Sequence, residues 1–274
     1  MLSYDASSVT SEDWDARFYH RVMAPQQVAL ATQLCSYIPE DIEGVIIDGG
    51  CGSGLVDIAL LERYPHATVC AVDLSASMLA IAECEIEARY PGRASYHRAD
   101  LQSFRLPDTA DCFFSNAAMH WVLDHRVMFK NIYDTLKPGG VLACQMAFCG
   151  PHNTPWYEQL HELLQSLPYR GHDADMVSPV ERIDPRQELD ALLEVGFEVT
   201  LLEPHTHIFT FGSTAEHRLF MEKVILRGPL RHIPVESLRK VLIEQAIAYS
   251  DNTVGPLKQC YESLRCIARK SPAH

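Results

Sequence analysis

No apolar stretch of the sequence approaches the ~20 residues that a membrane-crossing helix requires, which excludes a helical span. Cations are scarce. Lys+Arg number 23 against 36 Asp+Glu, for a net charge of −13. That balance excludes binding driven by a nucleic-acid polyanion. Residues 1–15, MLSYDASSVTSEDWD, are acidic and polar and lack the basic-then-apolar order of a signal peptide. None of the nine cysteines forms a C-x-x-C pair. Cys51, Cys70, Cys112 and Cys144 fall on or beside strands that read as buried, so free thiols in a reducing cytoplasm are expected. Histidines number 13, yet only His205-x-His207 shares a strand face, with no third ligand at recognisable spacing. No metal site is expected. Internal repeats and low-complexity tracts are also missing.

What is present is an apolar-rich chain of 274 residues, 47% hydrophobic. That suits one α/β core with insertions, or a core plus a small cap. The organising stretch is residues 44–74, GVIIDGGCGSGLVDIALLERYPHATVCAVDL. Val45–Ile47 reads as a strand, Asp48 to Gly54 as a glycine turn, Leu55–Leu61 as a helix, and Val69–Val72 as a second strand ending in Asp73-Leu74. Glycines 50, 52 and 54 allow a tight turn and bring peptide N–H groups toward a ligand. Asp73 stands where an acid can accept bonds from a ribose diol. A dinucleotide G-x-G-x-x-G fingerprint counted from Gly50 fails, because its third glycine falls on Leu55. The pattern acid-x-G-x-G-x-G fits instead, on Asp48, Gly50, Gly52 and Gly54.

Residues 11–37 show helical periodicity with a break at Pro25. They crowd Trp14, Phe18 and Tyr19 before the first strand, either as core packing or as a cover over a ligand site. After Asp73, Ser75 caps a helix to about Ala88. Short strands follow at Ala94–His97, before Asp100-Leu101, and at Ala110–Ser115, before Asn116 and His120. A helix from about Asp124 leads to a turn at Lys137-Pro138-Gly139-Gly140 and a strand at Val141–Met146. A helix at Trp156–Leu167 and a Gly/Pro/Asp-rich loop come next. Arg186–Val195 is helical and stops at Gly196. A strand at Phe197–Glu203, extending through His207–Phe211, precedes helical patterns near 214–227 and 235–249 and a last strand at Cys260–Ala268. The alternation predicts a doubly wound, seven-stranded, mostly parallel α/β sheet with a helical cap. The expected divisions are a cap segment at 1–40, a core at 41–150, an insertion at 151–185, and the end of the sheet at 186–274 with a lid near 213–250.

Polar residues at four strand ends, Asp48, Asp73, Asp100 and Asn116, with the glycine loop, resemble the S-adenosylmethionine (SAM) site of class I methyltransferases. The resemblance implies SAM as cofactor and a Rossmann-like fold. It implies a cofactor site of Asp48, Gly50, Cys51, Gly52, Gly54, Asp73, Leu74, Met78, Asp100, Leu101 and Asn116, with Asp48 near the methionine amine, Asp73 on the ribose hydroxyls, Asp100 on the adenine amine, Leu101 and Met78 against the adenine, and Asn116 near the methionine part. WDARFYHRVMAPQQ, SNAAMHWVLDH and LKPGGVLACQM are similar to the trans-aconitate methyltransferase group, and GPLKQCYESLRCIARK to the malonyl-carrier-protein methyltransferases. Both groups methylate carboxylates. Relatives often carry Gln where this chain has His120.

His120 and Tyr19 are the candidate catalytic residues. A carboxylate nucleophile, with pKa ~4, needs no base, whereas a phenol, amine or carbon acid usually does. His120 therefore separates a carboxyl O-methyltransferase from a secondary-metabolite C-, N- or hydroxyl O-methyltransferase that uses it as base. A SAM-binding regulatory protein without catalysis is the third reading. Residues 215–241 hold six Lys/Arg against three Glu, which reads either as a solvated helix face or as a basic lid for a small anionic substrate. No nucleic-acid or membrane partner is expected, and the oligomeric state is left open.

Overall fold

The computed structural model describes residues 19–106, 109–170 and 178–272. Its first element is a five-residue π turn, Tyr19–Met23, that runs into α1 (Ala24–Cys35). The break predicted at Pro25 is a helix start instead. Proline's missing N–H falls among the donors that a first turn leaves unsatisfied, so it costs nothing there.

The apolar run after Gly44 forms β1 (Val45–Gly49), with Ile46 and Ile47 fully buried. Helix α2 (Leu55–Arg63) follows the glycine turn, then β2 (Thr68–Asp73) and α3 (Ala76–Glu87). The Ser75 side chain accepts from the Met78 N–H at 3.3 Å, the cap that its position predicts. Next come β3 (Ala94–Arg98), β4 (Ala110–Asn116), α4 (His125–Thr135) and β5 (Leu136–Ala147). The turn predicted at Lys137–Gly140 lies inside β5. The pairing of β4 with β5 skips from Ala110↔Leu136 to Cys112↔Val141, so the extra residues bulge out of the ladder without ending it.

Beyond β5 lie α5 (Thr154–Gln165), α6 (Pro185–Val195) and β6 (Phe197–Thr210). Gly196 stops α6 at φ +106°, a conformation open to glycine. The long helix predicted near 214–227 is broken into α7 (Thr214–Phe220), a π turn at Met221–Ile225 and α8 (Arg227–His232). Helix α9 (Glu236–Thr253) leads into β7 (Lys258–Lys270).

The seven strands lie in the order β3-β2-β1-β4-β5-β7-β6, and the pairs β1–β2, β2–β3, β1–β4 and β4–β5 are parallel. The last strand in sequence is thus inserted between β5 and β6. Strand order reverses between β1 and β4, and open sheets bind ligands outside the carboxyl ends of the strands at such a switch point. One core cluster joins Ile46, Leu60, Leu61, Tyr64 and Phe114, each under 2% exposed. Each such side chain contributes about 1.5–3 kcal/mol by leaving water.

Two compact units share the chain. Of the described residues, the larger takes those up to Ala147, Ile183–Pro204 and the segment from Leu264; the smaller takes Phe148–Arg182 and His205–Ser263. Within the smaller unit the buried carboxylate of Glu262 accepts the N–H groups of His152 and Asn153, at 2.9 and 2.8 Å, just before α5. A charge so placed offsets the unsatisfied donors and the positive pole of a helix N-terminus.

Candidate active site

The glycine loop is pinned at both ends. Gly50 N–H and Cys51 N–H both donate to the Val72 carbonyl, at 2.7 and 3.0 Å. Gly52 N–H donates to Asp73 Oδ2 at 3.0 Å, and Ser75 N–H to Asp73 Oδ1 at 2.8 Å. Two positions admit only glycine. At Gly50, φ is +83° and a Cβ would lie 2.1 Å from the Ala118 Cβ. At Gly54, φ is +81° and a Cβ would lie 2.8 Å from the Ala82 Cα, so α2 could not close on α3.

A pocket of the larger unit opens at this loop, lined by Tyr19, Gln27, Asp48, Gly50, Cys51, Ser53, Leu55, Val56 and Asn116. Asp48 is 1% exposed, and its Oδ1 has no donor among the described residues; Ser53 Oγ is in the same state. Burial first, and then the charge of Asp57, push the Asp48 carboxyl well above the usual carboxylate range. Burial also raises Asp73, opposed by the N–H bonds from Ser75 and Gly52. The Tyr19 phenol is raised above its ordinary value by burial and then by the charges of Asp73 and Asp48, so it stays neutral. Trp14 and Phe18, the other aromatic residues of that segment, lie outside the described residues.

Of the remaining predicted site residues, Met78 and Leu101 are buried, whereas Leu74 is 46% exposed. Asp100 Oδ1 accepts from the Gln102 N–H at 2.8 Å, which leaves the turn after β3 folded around its carboxylate. Asn116 lines the pocket with an amide already engaged: its Nδ2 donates to Gln27 O and Oε1, at 3.1 and 3.0 Å, and its Oδ1 accepts from Gln145 Nε2. His120 sits in a 3-10 turn, Met119–Trp121, and is 6% exposed. Its Nδ1 accepts the Ala147 N–H at 3.3 Å, and its ring lies against Trp121 with centroids 5.2 Å apart. That bond fixes the tautomer, because an Nδ1 that accepts carries no proton and the neutral ring then bears it on Nε2.

Sequence reasoning missed Gln27, Ser53, Asp57, Asn131 and Gln145. Asn131 donates to the Leu101 carbonyl at 3.1 Å and holds that loop. Asp57 left a trace, since it is a charge inside the apolar stretch LVDIALL. Several cations of residues 215–241 are paired. Arg218 pairs with Glu244, Lys223 with Glu222 at 3.2 Å, and Lys240 with Glu236 at 2.8 Å. Arg239 donates to the Ile233 carbonyl. The excess counted over residues 215–241 is reduced because Glu244, one helical turn past Lys240, answers Arg218. Among the described residues no three His, Cys, Asp or Glu side chains cluster with metal-binding geometry.

Residues 46–140 match a methyltransferase-domain family. With it, the sheet order and the acid-flanked glycine loop define a class I SAM-dependent methyltransferase. The residues suit the cofactor: a buried carboxylate oxygen without a donor faces a pocket, beside backbone that only glycine allows. A trans-aconitate 2-methyltransferase of Methylobacterium nodulans is 32% identical over 185 residues, covering 66% of this chain and 67% of that protein. One from Enterobacter sp. is 27% identical over 274 residues, covering 95% of this chain and 99% of that protein. One from Azoarcus sp. is 34% identical over 155 residues, where the chain spans 56% of the relative's length. A methyltransferase structure from Bacillus halodurans superimposes with TM-score 0.60 at 18% identity, covering 89% of this chain and 98% of that one. The chain belongs to the family of the trans-aconitate 2-methyltransferases.

Proposed function

We propose that the protein transfers the methyl group of SAM to a carboxylate of a small organic acid. The similarity to trans-aconitate methyltransferases carries this reading, and the tautomer of His120 agrees with it. With Nδ1 accepting from Ala147, the neutral ring carries its proton on Nε2, so it is a donor there. A general base needs that nitrogen bare. A carboxylate is ionised at neutral pH and attacks without a base, so a donor is what the reaction requires. The relatives named for trans-aconitate, itself a carboxylic acid, support the same class of acceptor.

When bound, SAM supplies an electrophilic methyl group on a sulfonium, open to in-line displacement. In this reading Asp48 faces the cofactor's ammonium group and Asp73 its ribose hydroxyls. Met78 and Leu101 flank the adenine, and Asp100 accepts from its amine. Gly50, Cys51, Gly52 and Gly54 offer backbone. Asn116, its amide held by Gln27 and Gln145, serves as a rigid wall, and the exposed Leu74 contributes main chain. Tyr19, neutral and lining the pocket, donates a hydrogen bond and abstracts no proton. Holding nucleophile and methyl group in line is the main source of acceleration. All nine cysteines are free, which supports a reducing cytoplasm as the setting.

The test is turnover of SAM with a panel of small organic acids that includes trans-aconitate, scored for an alkali-labile methyl ester. His120→Gln keeps a donor, so its rate should stay within about tenfold of wild type, an orienting bond contributing ~1 kcal/mol. Loss of a general base would cost ~10²–10⁴-fold. A drop beyond a hundredfold with unchanged SAM affinity rejects the carboxylate reading.

A further inference from the structure

Asp57, in the first turn of α2, is fully buried. Its own backbone N–H aside, no described residue donates to either of its carboxyl oxygens, nor to Asp48 Oδ1. The two carboxyls lie within hydrogen-bonding reach of one another. Carboxylates offer only lone pairs, so that contact is a bond only when one of the two is protonated. Out of water, two such groups side by side do not both ionise. Asp73 is no part of the pair, because its oxygens accept from Gly52 and Ser75. Among the described residues, the charges acting on the pair are each other and Asp73. The other described ionisable groups that sense the two acids are the thiols Cys35, Cys51, Cys70 and Cys112 and the phenols Tyr19 and Tyr96, all raised by burial and neutral near pH 7.

We propose that Asp57 and Asp48 share one proton in the ligand-free site, and that the ammonium group of SAM expels it to solvent. This rests on the reading that Asp48 faces that ammonium. The acid O–H bond breaks, its proton passes to the buffer, and the oxygen's electron pair accepts from the incoming cation. One positive charge replaces another, so the buried pair is compensated in both states. Asp57 is thereby a positioning residue: it touches no substrate and sets the charge that Asp48 presents. SAM affinity therefore rises with pH as the pair gives up its proton, until the ligand's own amine deprotonates near pH ~8.

Calorimetric titration of SAM into the full chain at pH 6.5, in phosphate and in Bis-Tris, reads the proton directly, because the two buffers differ in ionisation heat. Wild type should release about one proton per SAM bound. Asp57→Asn replaces the shared proton with an amide donor, and it should bind SAM with equal heats in both buffers. The ligand-free wild type should also lose thermal stability relative to Asp57→Asn as pH rises from 6 to 8. Should that variant fail to fold, the slope of log affinity against pH in wild type reports the same proton count. Tight SAM binding with buffer-independent heat in wild type overturns the proposal, as does an unchanged release in Asp57→Asn. Absence of SAM binding to wild type overturns the cofactor reading instead, and the proposal with it.

Discussion

Asp73 holds the glycine loop by two N–H bonds and stands where the ribose is assigned. Asp73→Ala should weaken SAM binding by ~1–3 kcal/mol, a charged hydrogen bond's contribution, and calorimetry giving unchanged affinity would refute the assignment. Gly50→Ala should be worse for the loop than for the sheet. Its methyl collides with Ala118 in a left-handed conformation that costs about 1–3 kcal/mol. SAM affinity should fall well before far-ultraviolet dichroism changes. These residues were legible in the sequence, because strand ends and glycine spacing are local patterns. His120 was legible only as a candidate. Its tautomer depends on the Ala147 N–H, 27 residues away, and no spacing rule reports that bond. Gln27 was illegible for the same reason, meeting Asn116 across 89 residues.

Among the elements, the π turn Tyr19–Met23 brings Tyr19 to the pocket, with its ring 3.4 Å from where a Gly52 Cβ would stand. Deleting residues 1–20 should therefore abolish turnover while the sheet's dichroism persists, and a truncated protein with full activity would show that the segment only packs. Tyr19→Phe should retain most of the packing and lose the donor, with a rate drop of ~10-fold or less. Periodicity revealed nearly every strand and helix in order. It did not reveal the bulge in β5, since Lys137-Pro138-Gly139-Gly140 is turn chemistry by composition. Only the shifted pairing with β4 keeps it in the ladder. Nor did it reveal the break after Phe220, where the backbone loosens into a π turn with no proline before Pro229 to mark it.

Across the whole molecule, pH acts on stability through buried groups of opposite sign. His217 is fully buried, stacked on Phe211 at 4.8 Å, with Asp251 3.8 Å from its Nδ1 and no hydrogen bond to either ring nitrogen among the described residues. Burial lowers its pKa. A base held low in the fold binds fewer protons there than when unfolded. Its contribution is complete above the unfolded value of ~6.5 and is lost as pH falls below it. Denaturation of wild type and His217→Phe at pH 7.5 and 5.5 isolates this loss, since wild type should lose stability relative to the variant as pH falls. The interleaving of the two units along the chain has a separate consequence, for modular exchange. The chain leaves and re-enters the larger unit at Ala147–Phe148, Arg182–Ile183, Pro204–His205 and Ser263–Leu264. A fragment covering residues 148–263 carries Ile183–Pro204 away from the α4 residue Tyr133, whose ring meets Phe197 at 5.0 Å. Ala191, Leu192 and Phe197, each at most 3% exposed, then face water. The segment that bears α7, α8 and α9 is thus no cassette: it cannot be cut out as one piece or grafted onto another core without exposing apolar surface.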